Sequence, residues 1–181
     1  EDVSAVSLTP LWGIGLTREN FSFRNVEKDI RFDESNVLAV DTTFFEVFDF
    51  AMIKGDPKNV LKNPDGVLIS ESMEKKYFGD EDAIGKHLAV NNEEGLIEVV
   101  CVFEDVPQTS HFHFDFLISY LREKGFEGPE SQFYSWNDFG HYNYIRLQPG
   151  ADAKQLEAKL GDWVRKYIQI PDDVYKTIKD R

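Results

Sequence analysis

Apolar positions recur along this chain at two spacings, every second residue and every third or fourth, and these divide it into strands and helices. Val3 to Leu8 alternates loosely and predicts a strand, with Pro10-Leu11-Trp12-Gly13-Ile14-Gly15 as the loop after it. Phe21 with Phe23, Ile30 with Phe32, and Val37 to Val40 predict a meander of short strands. Thr43 followed by Glu46 fits a capping box, and Phe44, Val47 and Phe48 share one face at helical spacing. A short helix is therefore expected from Thr42 or Thr43. Phe50 to Ile53 predicts the next strand, ended by Lys54-Gly55-Asp56-Pro57.

Asn63-Pro64-Asp65-Gly66 carries turn chemistry, and Val67-Leu68-Ile69 is short and apolar enough for a buried strand. Ser70 is placed to cap a helix with Met73, Tyr77 and Phe78 on its apolar side, and Gly79 to stop it. His87–Val90 and Leu96–Phe103 predict two strands joined by Asn91-Asn92-Glu93-Glu94-Gly95. Residues 111–119 alternate strictly and predict a strand with Phe112, Phe114 and Phe116 on one face and His111, His113 and Asp115 on the other. Residues 122–141 lack a clean period and are expected to be dominated by loop. Tyr142 to Leu147 predicts a strand with Tyr142, Tyr144 and Arg146 on one side. After Pro149-Gly150, Asp152 and Gln155 fit a helix start. Leu156, Leu160, Trp163, Val164, Tyr167 and Ile168 then form a long apolar stripe, weakened at Gly161 by about 1 kcal/mol.

Composition narrows the classes. The 181 residues are 41% hydrophobic, with 15 Phe, enough for a packed core of one domain or a domain with an inserted lobe. The formal net charge of −13 argues against nucleic acid and against an anionic membrane surface, both of which need Lys and Arg. The single cysteine, Cys101, excludes an intramolecular disulfide and sits in the run Val99-Val100-Cys101-Val102-Phe103, as a buried strand thiol does. No apolar run is long enough to span a membrane. The first residues, Glu1-Asp2-Val3-Ser4, are not those of a signal peptide. Together with the tail Lys176-Thr177-Ile178-Lys179-Asp180-Arg181 they predict an excised fragment of a larger chain.

Candidate chemistry is sparse. His111, His113 and Asp115 are donors suited to zinc or iron if they share a strand face, with His87 or His141 as further ligands; the alternative is a polar face opposite a Phe-rich one. Paired carboxylates are available among the 33 acidic residues, but none sits in a context that raises a pKa. Ser70 and Ser72 lie at a helix start, without the strained elbow of a nucleophile. No phosphate loop and no dinucleotide fingerprint is present, and Gly13-x-Gly15 is only a fragment of one. Phe133, Tyr134, Trp136, Phe139 and Tyr142 form an aromatic group fit for a core or for a groove that takes a basic or amphipathic peptide. The residues therefore point to no enzyme, no cofactor and no assigned metal site.

Several segments, in this order, carry a resemblance. They are Val40-Asp41-Thr42-Thr43-Phe44-Phe45-Glu46-Val47-Phe48-Asp49-Phe50, Lys54-Gly55-Asp56-Pro57, Val67-Leu68-Ile69-Ser70-Glu71-Ser72, Lys75-Lys76-Tyr77-Phe78-Gly79, Ala83-Ile84-Gly85-Lys86, Val102-Phe103-Glu104-Asp105-Val106-Pro107, Ser110-His111-Phe112, Phe114-Asp115-Phe116, and Tyr144-Ile145-Arg146-Leu147 with Pro149-Gly150-Ala151-Asp152. Over residues 36–168 this order resembles the MacB-like periplasmic core domain of FtsX-type ABC transporter permeases, in the form found in Bacteroidetes-like bacteria. The family commonly has Gly where this chain has Cys101.

The resemblance implies an α+β fold: a porter-like lobe of mixed strands and helices, with an inserted β-rich, sabre-like lobe. On this chain the porter-like lobe is expected at residues 1–65 and 131–181 and the sabre-like lobe at 66–130. It implies a periplasmic domain of an inner-membrane protein in a Gram-negative bacterium, set between membrane helices. The implied partners are a cytoplasmic ABC ATPase subunit acting through those helices, a second permease subunit and an outer-membrane or periplasmic protein. The implied role is to transmit ATP-driven motion that exports or extracts a lipoprotein, peptide or drug. The alternatives are a periplasmic ligand-sensing or peptide-binding module and a metal-dependent hydrolase. The family supplies no catalytic residues.

Overall fold

The structure, a computed structural model, describes residues 5–13, 21–91, 95–122 and 142–167. Its strands are β1 (Ala5–Gly13), β2 (Phe21–Asn25), β3 (Ile30–Glu34), β4 (Val37–Val40), β5 (Met52–Lys54), β6 (Gly66–Ser70), β7 (His87–Val90), β8 (Gly95–Phe103), β9 (Phe116–Ser119) and β10 (Tyr142–Leu147). Its helices are α1 (Phe44–Val47), α2 (Pro57–Val60), α3 (Glu71–Phe78) and α4 (Ala153–Tyr167). All ten strands join one sheet, in the order β10-β1-β4-β9-β6-β8-β7-β2-β3, with β5 added on β8. The β4–β9 and β6–β8 pairs are parallel and the other ladders antiparallel. This is the α+β architecture expected from the sequence.

The middle strands are buried on both faces, so they read as continuous apolar runs rather than alternating ones. Val37 and Ala39, Val67 and Ile69, and Phe116 and Ile118 face one core; Val40, Leu68 and Leu117 face the other. The first core is covered by Tyr77 and Phe78 of α3 and by β2. The sheet curls so that Phe23 of β2 stacks on Phe116 of β9, with ring centroids 4.3 Å apart and planes 4° from parallel. The second core is rich in aromatic rings. Phe44, Phe48, Phe50, Phe112, Phe114 and Phe103 interlock by edge-to-face, tilted and offset contacts, the geometries that ring quadrupoles favour.

A bulge in β8 joins the cores. Val67 pairs with Val99 but Leu68 with Cys101, so Val100 is an extra residue in the ladder. The insertion reverses the parity of β8: Ile97 and Val99 face the first core, and after the bulge Val102 does so, while Cys101 and Phe103 turn to the second. Gly55, at φ +84°, passes against this bulge. A Cβ there would meet the Val100 carbonyl oxygen and lie 2.5 Å from Cys101 Sγ. Only glycine meets both the backbone conformation and the space.

Local signals explain several termini. Asn63 closes the turn before β6 with Gly66 N–H donating to its carbonyl (3.2 Å) and Asp65 N–H to its Oδ1 (3.0 Å). Ser70 Oγ caps α3 by accepting from Met73 N–H (3.4 Å), and Gly79, at φ +72°, ends that helix. Lys154 N–H donates to Asp152 Oδ1 (2.9 Å) at the start of α4. Leu156 and Val164 of that helix are half-buried, whereas Leu160 and Trp163 are exposed.

Other expectations change. The Thr43/Glu46 capping box does not form; instead Asp41 Oδ1 accepts from Thr43 N–H (2.9 Å) and Thr43 Oγ1 (3.1 Å), a local turn that competes with the box. Pro10 to Gly13, expected as loop, continue β1; Pro10 tolerates this because β4 pairs only with Leu11–Gly13. Of the alternating run 111–119 only Phe116–Ser119 is strand. Phe112 and Phe114 enter the second core and Phe116 the first, so the three Phe do not share a face. Residues 66–119 supply β6, β8 and β9 at the middle of the sheet that β1, β4 and β10 share, and the inserted lobe expected at 66–130 remains a proposal. The loop expected over 122–141 lies outside the described residues except for its first residue.

Gly55→Ala is expected to destabilise the protein by about 2–4 kcal/mol, combining left-handed strain with overpacking. Chemical denaturation measures this. Adding Cys101→Ala should recover part of the loss, because it removes the sulfur but not the Val100 carbonyl.

Candidate functional site

The site is assembled by β5 and β8. Met52 pairs with Phe103 and Lys54 with Val102, and one further bond, Glu104 N–H to the Ala51 carbonyl (2.9 Å), carries the pairing past the strand end. Residues Asp49–Ala51 therefore run beside Glu104 and Asp105. The chain then turns at Pro107–Ser110, where Ser110 N–H donates to the Pro107 carbonyl (2.9 Å). His111 Nε2 lies 2.9 Å from the Tyr144 hydroxyl of β10 and anchors the far end of that turn.

Between these segments lies an open cleft of ≈ 430 Å³. Its apolar lining is aromatic. Phe48 meets Phe112 edge-to-face at 5.1 Å, and Phe50 lies 6.0 Å from Phe112. All three rings are half-buried, continuing the second core to the surface. Its polar rim carries Asp49, Glu104 and Asp105, and no Lys or Arg lines it.

Asp105 is held by the start of α3. Ser72 N–H donates to its Oδ1 (3.0 Å) and the Ser72 hydroxyl to its Oδ2. Burial alone would raise the pKa of this carboxyl, but the Ser72 and Ser70 hydrogen bonds outweigh it and hold it below the ordinary Asp value. A carboxylate beside a helix N-terminus also suits the helix dipole. The carboxylates of Asp49 and Glu104 make no hydrogen bond or ion pair among the described residues.

The residues singled out from the sequence are dispersed. His111 and His113 are exposed, and His111 is engaged with Tyr144. Asp115 instead accepts from Asn36 Nδ2 (2.9 Å) and lies 3.5 Å from the Ser70 hydroxyl. Among the described residues no group of three or more His, Cys, Asp or Glu is placed to hold a metal ion. Residues 111–115 are not a strand, so the shared face that would have aligned those donors is missing. His87 lies on β7, and His141 lies outside the described residues. Cys101 is buried and its thiol pKa is pushed up to about 11 by burial, with Asp56 adding to the shift. Ser70 caps α3 and Ser72 serves Asp105. Phe133, Tyr134, Trp136 and Phe139 lie outside the described residues, and Tyr142 opens β10. The cleft itself escaped the sequence reading, because β5–β8 pairing joins segments about fifty residues apart.

The described arrangement offers contact surface and charge, and comparisons with known proteins place the fold and the family. A domain of a permease from Porphyromonas gingivalis superposes with a TM-score of 0.73 at 23% identity, over 92% of this chain and 73% of that one. The periplasmic region of MacB from Actinobacillus actinomycetemcomitans gives 0.67 at 16% identity, over 100% of this chain and 78% of that one. The extracellular domain of the noncanonic ABC-type transporter YknZ from Gram-positive bacteria gives 0.55 at 15%, over 85% and 70%. The fold is thus that of extracytoplasmic domains of transporter permeases. Residues 3–162 match the MacB-like periplasmic core domain, and the chain belongs to that family. The comparison with curated proteins gives no match.

Ser72→Ala removes one donor to Asp105 and should cost about 0.5–1.5 kcal/mol at neutral pH. Because the native Asp105 pKa is depressed, its contribution is complete above the ordinary value of 3.8 and is lost as pH falls through the lower native value. Denaturation curves of the wild type and S72A should therefore converge in strong acid, and a gap that stays constant would place the loss elsewhere.

Proposed function

We propose that this periplasmic domain of a MacB-like permease transmits ATP-driven motion from a cytoplasmic ABC ATPase, through the permease's membrane helices, to a substrate outside the inner membrane of a Gram-negative cell. The substrate class is a lipoprotein, peptide or drug, and the working form is a dimer of permease subunits that meets an outer-membrane or periplasmic partner. The observation that carries this reading is the family match over residues 3–162. From the same family membership we infer that the domain performs no catalysis of its own.

The porter-like portion (1–65 and 131–181) and the sabre-like portion (66–130) belong to the same proposal. Support for their moving together comes from the sheet, where β4 and β9 share a parallel ladder across the boundary. Displacement of the whole body is then the mode of action, rather than hinging at Gly66.

Replacing residues 1–181 of the full permease by a flexible linker should leave ATPase-subunit binding intact and abolish transport; unchanged transport would overturn the reading. Thermal unfolding of the chain should show one cooperative transition by far-UV and near-UV signals. Two separated transitions would divide the lobes.

A further inference from the structure

We propose that the cleft between Asp49–Ala51, Glu104–Asp105 and Pro107–Phe112 is a docking site for a basic, aromatic-bearing peptide segment of a partner protein. This rests on the transporter reading above and supplies it with a contact surface. Three observations carry it. First, the lining combines Phe48, Phe50 and Phe112 with three carboxylates and no Lys or Arg, so an arginine or lysine gains charge attraction at the rim while its stem and an adjacent apolar residue cover the rings. Second, the carboxylates of Asp49 and Glu104 make no hydrogen bond or ion pair among the described residues, while Ser72 holds Asp105 in place. The charges therefore need not break existing bonds to accept a cation.

Third, the shape selects a chain over a small cation. Small-ligand sites enclose most of their ligand. Here Asp49, Ala51, Glu104, Asp105, Pro107, Thr109 and His111 are all exposed, and only the Phe rings and Ser110 are half-buried. A peptide crossing such an open trough can bury one apolar side chain on the rings and set a cation beside each wall. A second copy of this chain is disfavoured by its own net charge of −13.

The test uses the 181-residue chain and a short fluorescein-labelled peptide alternating Arg and Phe, read by anisotropy at fixed ionic strength. Asp49→Asn with Glu104→Gln should weaken binding about tenfold, as expected for two partly desolvated ion pairs. Ala51→Arg, which sets a cation in the trough while keeping the backbone bond to Glu104, should abolish binding in a chain whose circular dichroism is unchanged. Asp80→Asn with Glu157→Gln, away from the cleft, should change affinity less than twofold. A Glu/Phe peptide should not bind, and a small aromatic ammonium should not compete. Equal weakening by both double variants would reduce the effect to net charge and overturn the site, as would wild-type affinity in A51R, competition by the small cation or no binding at all. None of these outcomes bears on whether the full permease couples to an ATPase, so failure here leaves the transport experiment to decide the broader reading.

Discussion

Burying both faces of β4, β9, β6 and β8 dictates the rest of this fold. A sheet strand exposed on one side needs one cover; these four need two, and the chain must supply both from what lies between them. Tyr77 and Phe78 of α3, with Phe23 carried over by the curl of the sheet, close one side. On the other side no residue of the long helix α4 joins the core, and aromatic residues from α1, the segment before β5 and the run before β9 cover it together with Met52, Val60, Leu61 and Val106. A lid of rings leaves edges where a helix would leave a smooth face. The cleft lies at such an edge, where Phe48, Phe50 and Phe112 reach the surface.

Charge is distributed by the same economy of elements. Four lysines pair around α3 and the loop after it: Lys54 bridges Glu74 and Asp82, Lys28 and Lys86 meet Glu81, and Lys76 meets Glu34. The last of these is required, because Glu34 is nearly buried and a buried carboxylate needs partners; the Tyr77 hydroxyl, 2.7 Å away, is the other. The Tyr77 hydroxyl is in turn held protonated by burial and by that carboxylate. The cleft has no such cation in its lining, and Asp49, Glu104 and Asp105 leave its rim negative.

Much of this was legible from residue order. Turn chemistry at Asn63–Gly66, the Ser70 cap, the Gly79 stop and the Asp152 helix start act within a few residues and survive folding unchanged. Alternation was less reliable where a run changes environment. Residues 111–116 alternate strictly, yet the chain bends before Phe116 and sends Phe112 and Phe114 to a different core, so the inferred metal-ligand face dissolved with the strand. Asp41 preempted the Thr43 cap because a side chain two residues away reaches the same N–H. The β8 bulge left no mark on the pattern, since Val99, Val100, Cys101 and Val102 are all apolar and parity is invisible in a uniform run. The cleft was hidden for a topological reason: its walls are adjacent only through the β5–β8 ladder.

That ladder also bears on how a mechanical domain could use the cleft. One wall is tied to the sheet through Ala51 and Glu104, the rim is tied to α3 through Asp105 and Ser72, and the far turn reaches β10 through His111 and Tyr144. Three separate elements therefore fix the cleft to the sheet. A surface mounted on a mobile loop would absorb displacement by local rearrangement, because packed interiors transmit strain whereas exposed loops dissipate it. One anchored at three points follows the sheet instead. If the permease moves this domain as a body, whatever occupies the cleft is carried with it, and the geometry of those anchors, rather than the affinity of the trough, decides how faithfully motion passes to the partner.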